Sequence, residues 1–64
     1  MTLQERMIFY RAKNRISQAE LAKRCGLSKM TVNQIETGAQ KPSKVTQAKI
    51  MLVVGAGDDE TVSE

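Results

Sequence analysis

The sequence predicts a compact all-α domain of four helices, on the strength of three observations. The chain has 64 residues, near the lower limit for a domain that folds without disulfides or metal. Its hydrophobic share is 41%, with one Phe and one Tyr, which suits aliphatic helix packing better than a sheet sandwich. Residues typical of helix starts and stops recur along the chain. We expect one domain over residues 1–55, followed by an acidic, flexible tail over residues 56–64.

Each predicted helix begins at a hydroxyl side chain that can cap free backbone N–H groups. Thr2 is followed by Glu5 and Ser17 by Glu20, the spacing of a capping box, in which each side chain bonds the other residue's backbone. The other boundary signals are two simpler N-cap serines and two C-cap glycines: Ser28, Ser43, Gly26 and Gly38. The predicted helices span residues 3–14, 18–25, 29–37 and 44–54.

The apolar residues of the first three helices fall on one face of each helix. Ile16 lies just before the second helix and Leu27 between the second and third helices, where each can pack against the core. The two middle helices are short and joined only by "GLS", so they are expected to form a helix-turn-helix unit held by the other helices. The residues predicted to face inward are Leu3, Met7, Tyr10, Leu21, Ala22, Cys25, Val32 and Ile35.

The fourth helix carries more apolar residues than one core needs, and Ile8 and Phe9 also fall off the inward stripe of the first helix. One interpretation is that a partner subunit covers a second face, with residues 50–54 in the contact. A second is that "KIMLVV" forms a short strand, and a third is ordinary packing in an irregular domain. The two stripes of this helix are Val45, Ala48 and Leu52, and Ile50, Val53 and Val54.

The outward face of the third helix carries uncharged hydrogen-bonding side chains and a methionine. Asn and Gln can each bond adenine through two atoms, Lys can bond guanine, and Met can contact a thymine methyl group. These residue types therefore favour recognition of bases in a DNA major groove, although a polar helix face can also be merely solvated. The residues are Lys29, Met30, Asn33, Gln34 and Thr37.

Charge is distributed unevenly along the chain. Residues 1–54 contain all ten Lys and Arg side chains against three acidic ones, a net charge of +7, whereas residues 55–64 carry −4. A basic body favours a polyanionic partner, nucleic acid first. The acidic tail is interpreted either as a solvated end or as a segment that competes with DNA for the basic surface.

Several functional classes are disfavoured by composition. The chain has no histidine, which removes the commonest general base and metal ligand, so no enzyme, metal or cofactor is expected. Cys25 is the single cysteine and is expected to be a buried apolar residue, which fits a reducing cytoplasm. The apolar run "IMLVV" is too short to span a membrane, and the N-terminus lacks the layout of a signal peptide.

The segment "SQAELAKRCGLSKMTVNQIETGAQKPS" resembles the phage repressor/Cro-type helix-turn-helix family, found in lambdoid phage regulators and small bacterial ones. The upstream "YRAKNRIS" also fits, and the resemblance covers about residues 3–55. It implies a lambda-repressor-like fold of four to five helices. The matching residues are Arg11, Ile16, Ser17, Gln18, Leu21, Ala22, Gly26, Ser28, Val32, Ile35, Glu36, Gly38, Pro42 and Ser43.

The resemblance also implies roles for individual residues. Arg11 and Glu36 are expected to form a structural ion pair, the alternative being two exposed, unpaired ions. Base recognition is assigned to Ser28, Lys29, Met30, Asn33 and Gln34. Phosphate contacts are assigned to Ser17, Gln18, Thr37 and Lys41.

The chain departs from the family at residues 55–64, where "GAGDDETVSE" lacks the bulky apolar anchor of a fifth helix. This difference puts the family's dimer contact in doubt. The expected function is a sequence-specific regulator of transcription that binds a double-stranded DNA operator, a Cro-like repressor acting as a homodimer at least on DNA. The alternative is a protein-interaction or antitoxin module built on the same scaffold, which the surplus apolar residues favour.

Overall fold

The computed structural model describes residues 2–55, which form four α-helices and a final π-helical turn. The all-α class and the bounds of the first three helices are confirmed. The acidic tail, residues 56–64, and both interpretations of it lie outside the described residues. No helix within residues 2–55 is long and apolar enough to cross a membrane. The elements are α1 (Leu3–Asn14), α2 (Gln18–Cys25), α3 (Lys29–Thr37), α4 (Lys44–Ile50) and the π-helical turn Met51–Gly55.

One of the two predicted capping boxes forms completely. The Thr2 N–H donates to Glu5 Oε1 over 2.8 Å, and the Glu5 N–H donates to Thr2 Oγ1 over 3.1 Å. The Thr2 backbone bond, more than the hydroxyl, lowers the pKa of Glu5. At α2 the Ser17 hydroxyl caps the Glu20 N–H, but the Glu20 carboxylate accepts from Arg24 Nε at 3.2 Å. The second box is therefore only half formed, because a charged donor one turn along takes the carboxylate.

The remaining helix ends follow the sequence signals, with one exception. Ser28 and Ser43 cap α3 and α4, and Gly26 and Gly38 end α2 and α3 in left-handed conformations, with φ of 73° and 82°. The exception is Arg15, which ends α1 with φ 56° and ψ 46°. Arg15 is the one non-glycine residue with positive φ among residues 2–55. Its side chain makes this conformation strained.

Each α-helix contributes one fully buried side chain to a common core, namely Met7, Leu21, Val32 and Ile50. The predicted inward faces of α1 to α3 are confirmed, with Leu3 and Tyr10 packed at the edge of the core rather than inside it. Burial of Cys25 raises the pKa of its thiol, as expected for a structural cysteine. The other buried or core-edge apolar residues are Ala22, Cys25, Ile35, Ile16, Leu27, Val53 and Val54.

The C-terminal part differs from the prediction of one α-helix over 44–54 and from the strand alternative. The α-helix ends at Ile50, and the chain continues as a π-helical turn to the buried Gly55. The neighbouring residues Val53 and Val54 both pack against the core there. Successive β-branched residues lower α-helix propensity, and the wider turn accommodates them. The turn also brings the Gly55 carbonyl to 3.5 Å from Arg6 Nη1, on α1.

Only part of residues 50–54, the segment predicted to form a dimer contact, is open to solvent. Ile50 is fully buried and the two valines lie on the core, so within that segment only Met51 and Leu52 are exposed. The stripe that remains open to solvent is instead Val45, Ala48 and Leu52. The sequence could not distinguish the two stripes because both have helical spacing. The exposed large apolar residues are Ile8, Phe9, Met30, Val45, Met51 and Leu52.

Replacing Arg15 by glycine is expected to stabilise the domain by about 0.5 kcal/mol, because relief of the left-handed strain exceeds the entropy cost of a glycine. The free energy of unfolding in urea, followed by circular dichroism, measures the change. Gly26→Ala is the matched control. A Cβ there would meet no atom within 4 Å, so its expected loss of about 1 kcal/mol would come from the backbone conformation alone. Equal stability losses in both variants would contradict the argument.

Candidate nucleic-acid interface

The turn between α2 and α3 is fixed by backbone bonds and by one apolar side chain. The Leu27 N–H donates to the Ala22 carbonyl over 2.8 Å, and the Leu27 side chain packs against the core. Val32 and Ile35 then bury the inner face of α3. These contacts hold two short helices that would not persist alone. They also leave the opposite face of α3 directed to solvent.

That outer face presents chemically varied, mostly uncharged side chains. Met30 is 69% exposed, Lys29 and Asn33 are also exposed, and Gln34 is half-buried. Ser28 is exposed at the start of the helix and also serves as its N-cap. Its hydroxyl accepts from the Thr31 N–H at 3.1 Å and lies 2.8 Å from Thr31 Oγ1. The structure therefore uses Ser28 first as the N-cap that begins the helix.

Comparison with known proteins places the chain in a family. Residues 9–63 match a protein family described as a helix-turn-helix domain. The matched residues include all of α2, the turn and α3. The chain belongs to this family. No curated protein and no solved structure is significantly similar to the chain. It is thus a helix-turn-helix DNA-binding domain, in which α2 and α3 form the unit that gives the family its name.

In this helix-turn-helix domain, Arg11 and Glu36 form a two-bond ion pair between α1 and α3. Arg11 Nε and Nη2 each donate to a different Glu36 oxygen over 2.8 Å. The Glu36 side chain is only 4% exposed and that of Arg11 24%. The hydrogen bond to Glu36 raises the pKa of Arg11 above its ordinary value. The pair connects the first helix to the C-terminal end of α3.

Gln18, the first residue of α2, extends this pair toward the outer face of α3. Gln18 Nε2 donates to Glu36 Oε1 over 3.0 Å, and Gln18 Oε1 accepts from Asn33 Nδ2 at 3.3 Å. The predicted phosphate ligand and one predicted base-recognition residue are therefore joined. Gln18 and Asn33 were predicted to have separate roles, and this contact was not predicted because it joins two helices. We refer to Arg11, Glu36, Gln18 and Asn33 as the polar relay.

The other residues assigned to phosphate contact lie at the start of α2, at the end of α3 and in the loop after α3. The Ser17 hydroxyl is occupied as the α2 cap, and Thr37 Oγ1 donates to the Gln34 carbonyl over 3.2 Å. Lys41 is exposed in the loop between α3 and α4, beside two open cavities of about 490 and 340 Å³. Neither cavity is lined by Met30, Asn33 or Gln34, so the outer face of α3 lies apart from both.

Loss of one partner of the Arg11–Glu36 pair is expected to destabilise the domain strongly. Arg11→Ala leaves a nearly buried carboxylate with only Gln18, which should cost about 3 kcal/mol in the free energy of unfolding. Urea denaturation of the purified variant measures this cost.

Arg24→Ala is the matched control for that variant. Arg24 pairs with Glu20 at 3.2 Å, but both side chains are about two-fifths exposed, at 39% and 43%. Arg24 also donates to Tyr10 Oη over 3.0 Å. Its loss should cost much less than the loss of Arg11, because solvent screens these exposed contacts. Similar costs for the two arginines would show that burial of Glu36 does not matter.

Proposed function

We propose that this helix-turn-helix domain is a sequence-specific regulator of transcription of the phage repressor/Cro type, acting as a repressor. The observation that carries the proposal is the outer face of α3. That face exposes Lys29, Met30 and Asn33, while Val32 and Ile35 anchor the helix from behind. A purely electrostatic binder would carry Lys and Arg there, whereas amide and thioether side chains match base edges in the major groove.

Phosphate contacts are proposed to come from elements on either side of α3. Thr37 is the last residue of α3 and Lys41 lies in the loop after it, while Ser17 and Gln18 stand at the N-terminus of α2, where free N–H groups favour an anion. The Ser17 hydroxyl oxygen accepts from the Glu20 N–H, and its own O–H can still donate to a phosphate oxygen. The net charge of +7 on residues 1–54 supports association with the polyanion.

Repression is proposed to result from a homodimer that occupies an operator and excludes RNA polymerase. Two-fold symmetry would place two α3 helices about 34 Å apart, on successive major grooves of a roughly palindromic site. The exposed stripe Val45, Ala48 and Leu52, with Met51 beside it, is the better candidate for the dimer contact than the whole of residues 50–54, because Ile50 is buried and Val53 and Val54 pack on the core. Leu52 is 81% exposed, so Leu52→Asp tests association without disturbing the core.

Selection of bound duplexes from a random DNA pool tests the function directly. We expect an enriched site with two-fold symmetry, and affinity for it that falls steeply with salt concentration. An enriched single half-site would keep the DNA function and remove the dimer. Weak binding of all sequences without enrichment would contradict the proposal.

Alanine variants separate base recognition from phosphate contact. Lys29→Ala and Asn33→Ala should each weaken binding to the selected site by roughly 1–3 kcal/mol and change binding to random DNA little. Gln34→Ala should do the same to a smaller extent, because Gln34 is half-buried. Fluorescence anisotropy with both duplexes measures these losses.

Lys41→Ala is the matched control, because it removes a charge outside α3. It should weaken binding to both duplexes and lower the slope of log affinity against log salt by about 1. Loss of selectivity in Lys41→Ala, with none in Asn33→Ala, would show that the two roles are reversed.

A protein-interaction or antitoxin module is the second candidate. The exposed apolar side chains of α1 favour it, since Phe9 is 59% and Ile8 46% exposed. Contiguous apolar surface on a small domain commonly marks a protein contact. Phe9→Ser would leave the DNA affinity of a repressor unchanged. Failure of the selection experiment would make this candidate the better one.

A further inference from the structure

The polar relay contains one group that can only accept hydrogen bonds. The Glu36 carboxylate, held by two bonds from Arg11, has no proton to donate. Gln18 can therefore approach Glu36 Oε1 only through its amide nitrogen, as the 3.0 Å contact from Nε2 shows. A glutamine amide can otherwise rotate so that its nitrogen and oxygen exchange places. Here the charge of Glu36 fixes its orientation.

The fixed orientation of the Gln18 amide also fixes the orientation of the Asn33 amide. With its nitrogen bonded to Glu36, Gln18 presents Oε1 to α3, and this oxygen accepts from Asn33 Nδ2 at 3.3 Å. Asn33 therefore directs its amide nitrogen toward Gln18. One hydrogen of Nδ2 is used in this bond, and the other hydrogen and Oδ1 remain for a ligand.

We propose that Gln18 and Glu36 are positioning residues that make Asn33 selective for adenine over guanine, an inference that rests on the proposed function. The remaining groups of Asn33 are one donor and one acceptor, side by side. The major-groove edge of adenine offers the complementary N7 acceptor and N6 donor. The edge of guanine offers two acceptors, O6 and N7, which would leave one of them facing Oδ1. Because one Nδ2 hydrogen of Asn33 is bonded to Gln18, Asn33 cannot present the two donors that guanine requires.

Two substitutions of Gln18 change the relay in different ways. Gln18→Met has a similar size but no polar end, so Asn33 would be free to turn its amide. Gln18→Lys can still donate to Glu36 and still carries a donor toward DNA phosphate, but it has no acceptor for Asn33. The lysine would attract Oδ1 and turn both hydrogens of Nδ2 outward, the arrangement that guanine favours.

The experiment measures affinity for four duplexes that differ only at the base pair contacted by Asn33. That base pair is identified as the one whose preference disappears in Asn33→Ala. The unaltered chain should prefer adenine to guanine by roughly 10-fold. Gln18→Met should lower the ratio by more than about twofold, because a free amide can also turn both Nδ2 hydrogens outward, and Gln18→Lys should lower it further. Preferences at the other base pairs should be unchanged, which a general structural defect would not produce.

Controls separate this inference from the proposed function. Lys41→Ala should lower affinity for all four duplexes equally, and thermal unfolding by circular dichroism shows whether each variant is folded. If both Gln18 variants keep the adenine preference within twofold while total affinity falls, Gln18 is a phosphate ligand only and the inference is wrong. If Asn33→Ala abolishes no preference although a site is selected, the inference fails and the regulator remains. If the unaltered chain selects no site, both fail.

Discussion

The Glu36 carboxylate is the group on which the arrangement of the first three helices depends. It is almost entirely buried, and an isolated charge in that position would cost several kcal/mol. The cost is offset only while Arg11 from α1 and Gln18 from α2 both reach it. The three helices are therefore held in one relative position by hydrogen-bond geometry, whereas the aliphatic core alone would tolerate small shifts. A recognition helix benefits from such fixed placement, since base contacts require accurate distances.

The parts of the fold that could be predicted are those with local signals. A hydroxyl residue before each helix and a glycine after α2 and α3 determine those boundaries through short-range hydrogen bonds. Arg15 was missed because an arginine is not a typical C-cap residue. The π-helical turn was missed because successive valines weaken an α-helix without specifying what replaces it. The inward stripe of residues 44–54 was ambiguous, since the choice between Leu52 and Val53 depends on which side of the π-helical turn meets α1. That choice is made by tertiary packing.

The candidate site, like the fold, could be predicted from the sequence only in part. Helical spacing was sufficient to place Met30 and Asn33 on the outer face of α3 and to place Val32 behind it. It could not show which side chains are already committed within the domain. Ser28 is used as a cap, and the contact of Gln18 with Asn33 depends on how two helices separated by a turn approach each other. Intramolecular hydrogen bonds of this kind decide which atoms remain for a partner.

The buried cysteine gives the domain an internal reporter of its own opening. Cys25 lies in the core, on the helix that supports α3, and the thiol is the single one in the chain. The thiolate is the form that attacks a thiol reagent, and burial disfavours it, so modification proceeds chiefly through molecules whose core has opened. When opening and closing are faster than the chemical step, the labelling rate follows the population of open molecules. Opening of the α2–α3 unit can therefore be measured in native buffer with Cys25 itself as the probe.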